Sequence, residues 1–127
     1  MPQRILLVDD DLATTRSLKQ FLTAHRYEVL EENDSRKALE AAKSFQPDVV
    51  VLDFQMPEAH GGDVAWQLAS EPGLRKTLRI ILCSGLPNKE FALKLPPIKI
   101  HILEKPVLTE KLLQMLRETE NGTTSSP

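Results

Sequence analysis

Five short strand-like segments alternate with segments of helical periodicity along this chain of 127 residues. A run of four or five consecutive apolar residues predicts a β-strand that is covered on both faces, as strands of parallel sheets are. Apolar residues three and four positions apart predict helices that supply the cover. Strands separated by helices imply right-handed crossovers and a parallel sheet in three layers. The predicted strands are Arg4–Val8, Tyr27–Leu30, Asp48–Leu52, Leu78–Cys83 and Ile100–Leu103.

The predicted helices follow these strands. Asp11 is a suitable N-cap for the first helix and Ser35 for the second, because short polar side chains accept hydrogen bonds from the free N–H groups of a first turn. Pro96 and Pro97 cut the fourth helix short. The helices are expected at Leu12–His25, from Ser35 to a point before Pro47, at Asp63–Ser70, near Lys89–Leu95 and at Glu110–Glu118.

The length and composition fit one compact domain. The chain is 41% hydrophobic and 27% charged, which is close to the profile of soluble globular proteins. A domain of ordinary size uses most of the chain and leaves little room for another. We therefore assign residues 1–119 to the domain and the small polar residues 120–127 to a flexible tail or the start of a linker.

Charge and hydropathy exclude several classes of partner and location. A net charge of -2 without a basic run argues against direct nucleic-acid binding. The apolar runs are far too short to span a bilayer, and the first residues do not form a secretory signal. Cys83 is the only cysteine, so an internal disulfide is impossible. The expected location is the cytoplasm.

Polar residues of note follow four of the five predicted strands. The second predicted strand is the exception. In a parallel α/β sheet, the carboxyl ends of all strands lie along one edge, and ligands bind there. We therefore expect these side chains to meet, although they are far apart in sequence. They are Asp9, Asp10 and Asp11 after the first strand, Asp53 at the end of the third, Ser84 after the fourth and Lys105 after the fifth.

These residue types suit phosphoryl transfer with a magnesium ion. Clustered carboxylates repel one another unless a cation neutralises them, and such hard oxygen ligands suit Mg²⁺. The Asp53 carboxylate can act as a nucleophile and form an aspartyl-phosphate. Lys105 can place positive charge beside the phosphoryl oxygens, and the Ser84 hydroxyl can donate a hydrogen bond to one of them.

Each residue has a simpler interpretation when it is taken alone. A run of aspartates is usually a solvated loop with a helix cap, and we expect Asp11 to be that cap rather than a ligand. A serine after a strand is usually a turn former, and a lone lysine is usually a surface residue. The functional interpretation of Ser84 and Lys105 therefore depends on their meeting Asp53.

In this joint pattern the chain resembles the response-regulator receiver family of two-component signalling, over roughly residues 3–118. The resemblance implies a flavodoxin-like (βα)5 fold, that is, a doubly wound, five-stranded parallel sheet with strand order 2-1-3-4-5 and three layers. The matching segments, in the family's order, are Leu7–Asp11, Val51–Pro57, Gly61, Cys83–Gly85 and Glu104–Pro106.

The resemblance also implies a role for each site residue. Asp53 is expected to be the phospho-acceptor, and Ser84 matches the family's switch hydroxyl. Lys105 matches the family's lysine, and its bond to Pro106 is expected to be cis. The expected Mg²⁺ ligands are Asp9, Asp10, Asp53 and the backbone carbonyl of Gln55.

The function that the resemblance implies is a signalling switch rather than an enzyme. A histidine kinase or a histidine-phosphotransfer protein would donate the phosphoryl group to Asp53. The surface around the fourth helix and the fifth strand would then change for an output partner or effector domain. Two positions depart from the family pattern there: Ile102 stands where many receivers have an aromatic residue, and Leu86–Ile98 is interrupted by prolines.

Three alternatives remain beside the switch. The altered output region favours a pseudo-receiver that binds a protein without phosphorylation, whereas the complete acidic set disfavours it. A phosphatase-type hydrolase would carry a second acid two residues after the nucleophile, where this chain has Gln55. A flavodoxin would need a phosphate-cradling loop after the first strand, where the acidic residues would repel a phosphate.

Overall fold

Strands and helices alternate in the structure, a computed structural model that describes residues 3–54, 61–85 and 100–120. The predicted helix near 89–95 lies outside these ranges, and so do residues 121–127 of the predicted tail at 120–127. In chain order the elements are β1 (Arg4–Val8), α1 (Leu12–Ala24), β2 (Glu28–Glu32), a 3₁₀ turn (Ser35–Lys37), α2 (Ala38–Phe45), β3 (Val49–Asp53), α3 (Gly61–Ser70), β4 (Arg79–Ser84), β5 (Ile100–Glu104) and α4 (Thr109–Glu120).

The five strands form one parallel sheet in the order β2-β1-β3-β4-β5. This is the predicted order, and it confirms the flavodoxin-like arrangement. Every residue of the central strand β3 is buried, whereas the residues of the edge strand β2 are intermediate or exposed. The apolar runs therefore mark the inner strands most clearly, because those strands are covered on both faces.

Helices cover both faces of the sheet, which confirms the three layers. Alternate residues of a strand point to opposite faces. Leu6 and Val8 of β1 pack in a cluster with α2 and α3, whereas Ile5 and Leu7 pack in a second cluster with α1 and α4. Among the described residues, no helix is both long and apolar enough to cross a membrane.

The caps of the first two helical segments differ in how well the sequence predicted them. Asp11 is the N-cap of α1, as expected, and its side chain accepts hydrogen bonds from the N–H groups of Ala13 at 3.0 Å and Thr14 at 3.3 Å. The prediction of Ser35 as the second cap is wrong. Asp34 caps the 3₁₀ turn instead, because its carboxylate accepts from the N–H and the guanidinium of Arg36, each at 3.0 Å.

Candidate functional site

The carboxyl ends of β1, β3, β4 and β5 bring the predicted site residues to one edge of the sheet. Asp53 is the last residue of β3, and only 5% of its surface is exposed. The β3–β4 pairing places it opposite Cys83, and the N–H of Phe54 donates to the Cys83 carbonyl at 2.9 Å. Ser84 ends β4 and is buried. The sheet register therefore fixes the backbone of both residues.

Lys105 joins this group through an ion pair with Asp53. Its Nζ lies 2.7 Å from Asp53 Oδ1, and its backbone N–H donates to the Ser84 carbonyl at 2.9 Å. Burial by itself lowers the pKa of Lys105, but the hydrogen bond and the charge of Asp53 outweigh burial and raise it. Lys105 is therefore a firmly protonated ammonium. The peptide bond between Lys105 and Pro106 is cis, as expected.

Three carboxylates gather beside the ammonium. Asp9, Asp10 and Asp53 each offer an oxygen, and these oxygens lie within 4.8 Å of one another. Burial raises the pKa of Asp9 to about 6, with a further contribution from the charge of Asp53, although a hydrogen bond from the Asp11 N–H opposes it. Three hard oxygen donors at this separation fit a small divalent cation such as Mg²⁺. Gln55, the fourth predicted ligand, lies outside the described residues.

A cleft of about 750 Å³ opens over these side chains, between α1 and the turn after β5. Asp9, Asp10, Asp53 and Lys105 line its polar part. Thr14, Ser17 and Thr109 line the rest together with apolar residues. The Asp53 carboxylate is thus largely covered by the protein, yet it faces a cleft that is large enough to admit another molecule's side chain.

Two other residues with potentially reactive side chains, Cys83 beside the site and His25 at the other end of α1, have structural roles. Burial raises the pKa of Cys83 to about 12, so its thiol stays protonated and unreactive, as expected for a small core residue. His25 contacts the Phe21 carbonyl through Nδ1 at 2.9 Å, at the other end of α1. His60, which follows Asp53 in the chain, lies outside the described residues.

One polar residue at this edge of the sheet, Asn33 at the end of the second strand, was not among the predicted site residues. Asn33 directly follows β2, and its Nδ2 donates to the Asp9 carbonyl at 2.8 Å and to Thr15 Oγ1 at 2.9 Å. Asn33 also follows the carboxyl end of a parallel strand, but the predicted strand ends at Leu30, three residues before it.

The raised pKa of Asp9 predicts a pH dependence of stability. The folded protein binds this proton more tightly than the unfolded chain does, so the contribution of Asp9 to stability grows as the pH falls through about 6. In metal-free buffer, going from about pH 7 to about pH 5 is expected to raise the free energy of unfolding of wild type by about 1 kcal/mol relative to that of Asp9→Asn, once solvent screening is included. Urea denaturation measures this change, and an Asp9→Asn variant controls for the other titrating groups. An equal rise in wild type and variant would contradict the prediction.

Comparisons with known proteins agree with this geometry. The family model of the response regulator receiver domain matches residues 5–117. Response regulator MprA of Mycolicibacterium vanbaalenii is 37% identical over 125 residues, which are 98% of this chain and 53% of that protein. Chemotaxis protein CheY of Thermotoga maritima is 32% identical over 95 residues, which are 74% of this chain and 77% of that protein. The chain thus spans about half the length of the MprA relatives.

Solved structures show the same fold at lower sequence identity. The chemotaxis response regulator CheY4 of Vibrio cholerae superposes with a TM-score of 0.82 at 24% identity, covering 94% of this chain and 99% of that one. A receiver domain from Methanospirillum hungatei superposes with a TM-score of 0.81 at 22% identity, covering 100% of both chains. The structures share the fold, and the family model and the sequence relatives establish that the chain belongs to the response regulator receiver domain family.

Proposed function

We propose that the chain is a phospho-acceptor switch of a two-component phosphorelay, in which Asp53 takes up a phosphoryl group and Mg²⁺ is the cofactor. The observation that carries this proposal is the setting of Asp53. It is a buried carboxylate, 2.7 Å from an ammonium and beside two more carboxylates, at the base of an open cleft. The proposed Mg²⁺ ligands are Asp9, Asp10, Asp53 and the backbone carbonyl of Gln55.

The donor in this proposal is the phosphohistidine of a histidine kinase or of a histidine-phosphotransfer protein. An oxygen of Asp53 forms a bond to phosphorus while the P–N bond of the donor breaks. The imidazole nitrogen leaves with the bonding electron pair and takes up a proton from solvent. Mg²⁺, when bound, supplies positive charge at the phosphoryl oxygens.

Lys105 performs two tasks in this scheme. Before transfer, it holds one carboxylate oxygen of Asp53 at 2.7 Å and leaves the other to act as the nucleophile. After transfer, the acceptor carries a phosphoryl dianion, and the ammonium moves its hydrogen bond to a phosphoryl oxygen. The Ser84 hydroxyl donates a hydrogen bond to another phosphoryl oxygen. Since Ser84 is the last residue of β4 and Lys105 directly follows β5, both movements change the same end of the sheet.

The output would be read on the surface beside β5. This strand pairs only with β4 among the described strands, and Ile102 at its centre is 44% exposed. An effector domain or a separate partner would bind there. We assign residues 1–119 to the switch domain and residues 120–127 to a tail or the start of a linker.

Phosphoryl uptake from a small-molecule donor such as acetyl phosphate tests the proposal. Intact-mass spectrometry is expected to detect one added phosphoryl group when Mg²⁺ is present and none when EDTA replaces it. The physical reason is that three neighbouring carboxylates repel an incoming phosphoryl group until a cation offsets their charge. Folded protein that takes up no phosphoryl group and has no affinity for Mg²⁺ would support a phosphorylation-independent pseudo-receiver instead.

A further inference from the structure

The loop after β2 reaches across the acidic turn that follows β1. Asn33 Nδ2 lies 2.8 Å from the backbone carbonyl oxygen of Asp9 and 2.9 Å from Thr15 Oγ1. A carbonyl oxygen can only accept a hydrogen bond, so the amino half of the amide must face Asp9. Both hydrogens of that amino group are then used. One side chain thereby links the acidic turn to the first turns of α1.

The partners of Asn33 are themselves tied into the backbone. Thr15 is completely buried, and its hydroxyl donates to the Leu12 carbonyl at 3.2 Å, which leaves its oxygen to accept from Asn33. The backbone N–H of Asp9 donates to the Glu32 carbonyl at 3.3 Å. The N–H and the C=O of Asp9 are therefore both held by the end of β2, whereas its carboxylate is left to face the site.

We propose that Asn33 is a positioning residue for the cation site: it holds the backbone of Asp9 so that the Asp9 carboxylate stays beside Asp10 and Asp53. This inference rests on the proposed function and adds to it a residue that touches neither the cation nor the phosphoryl group. In the metal-free protein the three carboxylates repel one another and would move apart. The two hydrogen bonds of Asn33 oppose that movement and so preserve the arrangement that a cation needs.

An amide suits this position better than the other short polar side chains. A carboxylate at residue 33 would lose both donors and add a further negative charge beside Asp9. A serine hydroxyl has one hydrogen and could serve Asp9 or Thr15 but not both. Asparagine provides two donors without charge, which is what the two acceptors require.

The test compares Mg²⁺ affinity with stability in four variants. Asn33→Leu keeps the approximate shape but removes both donors, and Thr15→Val removes the shared acceptor. Thr15→Ser keeps the hydroxyl. Val29→Ala in β2 is the matched control, because it removes apolar contacts from the cluster with α1 and α4 without touching the acidic turn. Titration calorimetry gives the Kd for Mg²⁺, and urea denaturation in EDTA gives the stability.

Asn33→Leu is expected to raise the Kd for Mg²⁺ about tenfold, at the lower end of the effects seen when a group that orients a metal ligand is lost. Thr15→Val is expected to raise the Kd about threefold, since Asn33 keeps its bond to Asp9. Thr15→Ser and Val29→Ala should stay within about twofold of wild type, although Val29→Ala loses stability. Phosphoryl uptake by Asn33→Leu should slow at low Mg²⁺ and return to the wild-type rate at saturating Mg²⁺.

A purely structural role for Asn33 predicts a different result. Asn33→Leu would then lose stability as Val29→Ala does, with a Kd for Mg²⁺ within about twofold of wild type, and this outcome overturns the inference. If Asn33→Leu does not fold, the contrast between Thr15→Val and Thr15→Ser decides in the same way. Wild-type protein without affinity for Mg²⁺ would overturn the proposed function itself, which is distinguishable from a failure confined to the variants.

Discussion

Replacing Asp53 by asparagine is expected to abolish phosphoryl uptake while leaving the fold intact. The amide has nearly the shape of the carboxylate and can still accept a hydrogen bond from Lys105 Nζ, which lies 2.7 Å from Oδ1 in the wild type. It lacks the anionic oxygen that attacks phosphorus. Intact-mass spectrometry with acetyl phosphate and Mg²⁺ should therefore find the added phosphoryl group on wild type and none on Asp53→Asn.

Two further variants make this result specific. Asp63→Asn neutralises an exposed carboxylate in the first turn of α3, away from the cleft-lining residues, and should take up the phosphoryl group as wild type does. Asp10→Asn tests whether a neighbour can replace the acceptor. A full adduct on Asp53→Asn that disappears when Asp10 is also changed would contradict the assignment and would make Asp10 the acceptor.

The loss of charge at Asp53 also tests the balance of charges in the site. Asp53 contributes one of three neighbouring negative charges and also pairs with Lys105. Its neutralisation relieves repulsion with Asp9, whose pKa its charge helps to raise, but it also removes the ion pair. Since these two effects have opposite signs, a small change in stability is expected, and circular dichroism can verify that the variant is folded.

The strands were predictable to the extent that burial shapes their composition. The central strand β3 is apolar up to Asp53, so its apolar run marks it within one residue of its bounds. The edge strand β2 was predicted to end at Leu30, yet it continues to Glu32. Glu31 is charged, yet its carboxylate forms an ion pair with Arg16 of α1 at 3.4 Å, so its charge does not end the strand.

The sequence allows a prediction of the site residues whose meeting depends only on the position of their backbone in the sheet. Asp53, Ser84 and Lys105 meet because parallel strands end at one edge, which needs only the strand assignments and the topology. The distance from Lys105 to Asp53 and the bonds of Asn33 to Asp9 depend on side-chain directions and on the path of the loops. Periodicity carries no information about either. For that reason the hydrogen bonds by which Asn33 holds the backbone of Asp9 could be found only in the structure.

A large loss of stability is expected when Ile81 is replaced, a residue of β4, the strand next to β3. Ile81→Ala is expected to lower the free energy of unfolding by about 3–4 kcal/mol, because a fully buried isoleucine leaves a cavity that its neighbours fill only partly. A domain of this size has a total stability of about 5–15 kcal/mol. The variant should therefore lose a large share of the total stability. Urea denaturation should show this as a lower midpoint concentration with an unchanged m-value.

Ile102→Ala provides the matched control, because it makes the same chemical change on the same sheet at a side chain that is 44% exposed. It is expected to cost about 1 kcal/mol or less, mainly through the lower strand preference of alanine. Equal losses in the two variants would mean that Ile102 is as well packed as Ile81, which would remove it from the proposed output surface. A small loss at Ile102 beside a large one at Ile81 fits an apolar side chain that is retained for a partner rather than for the core. Ile81 lies opposite Val51, which is two residues before Asp53, so the cavity in Ile81→Ala is also expected to loosen the strand that carries the proposed acceptor.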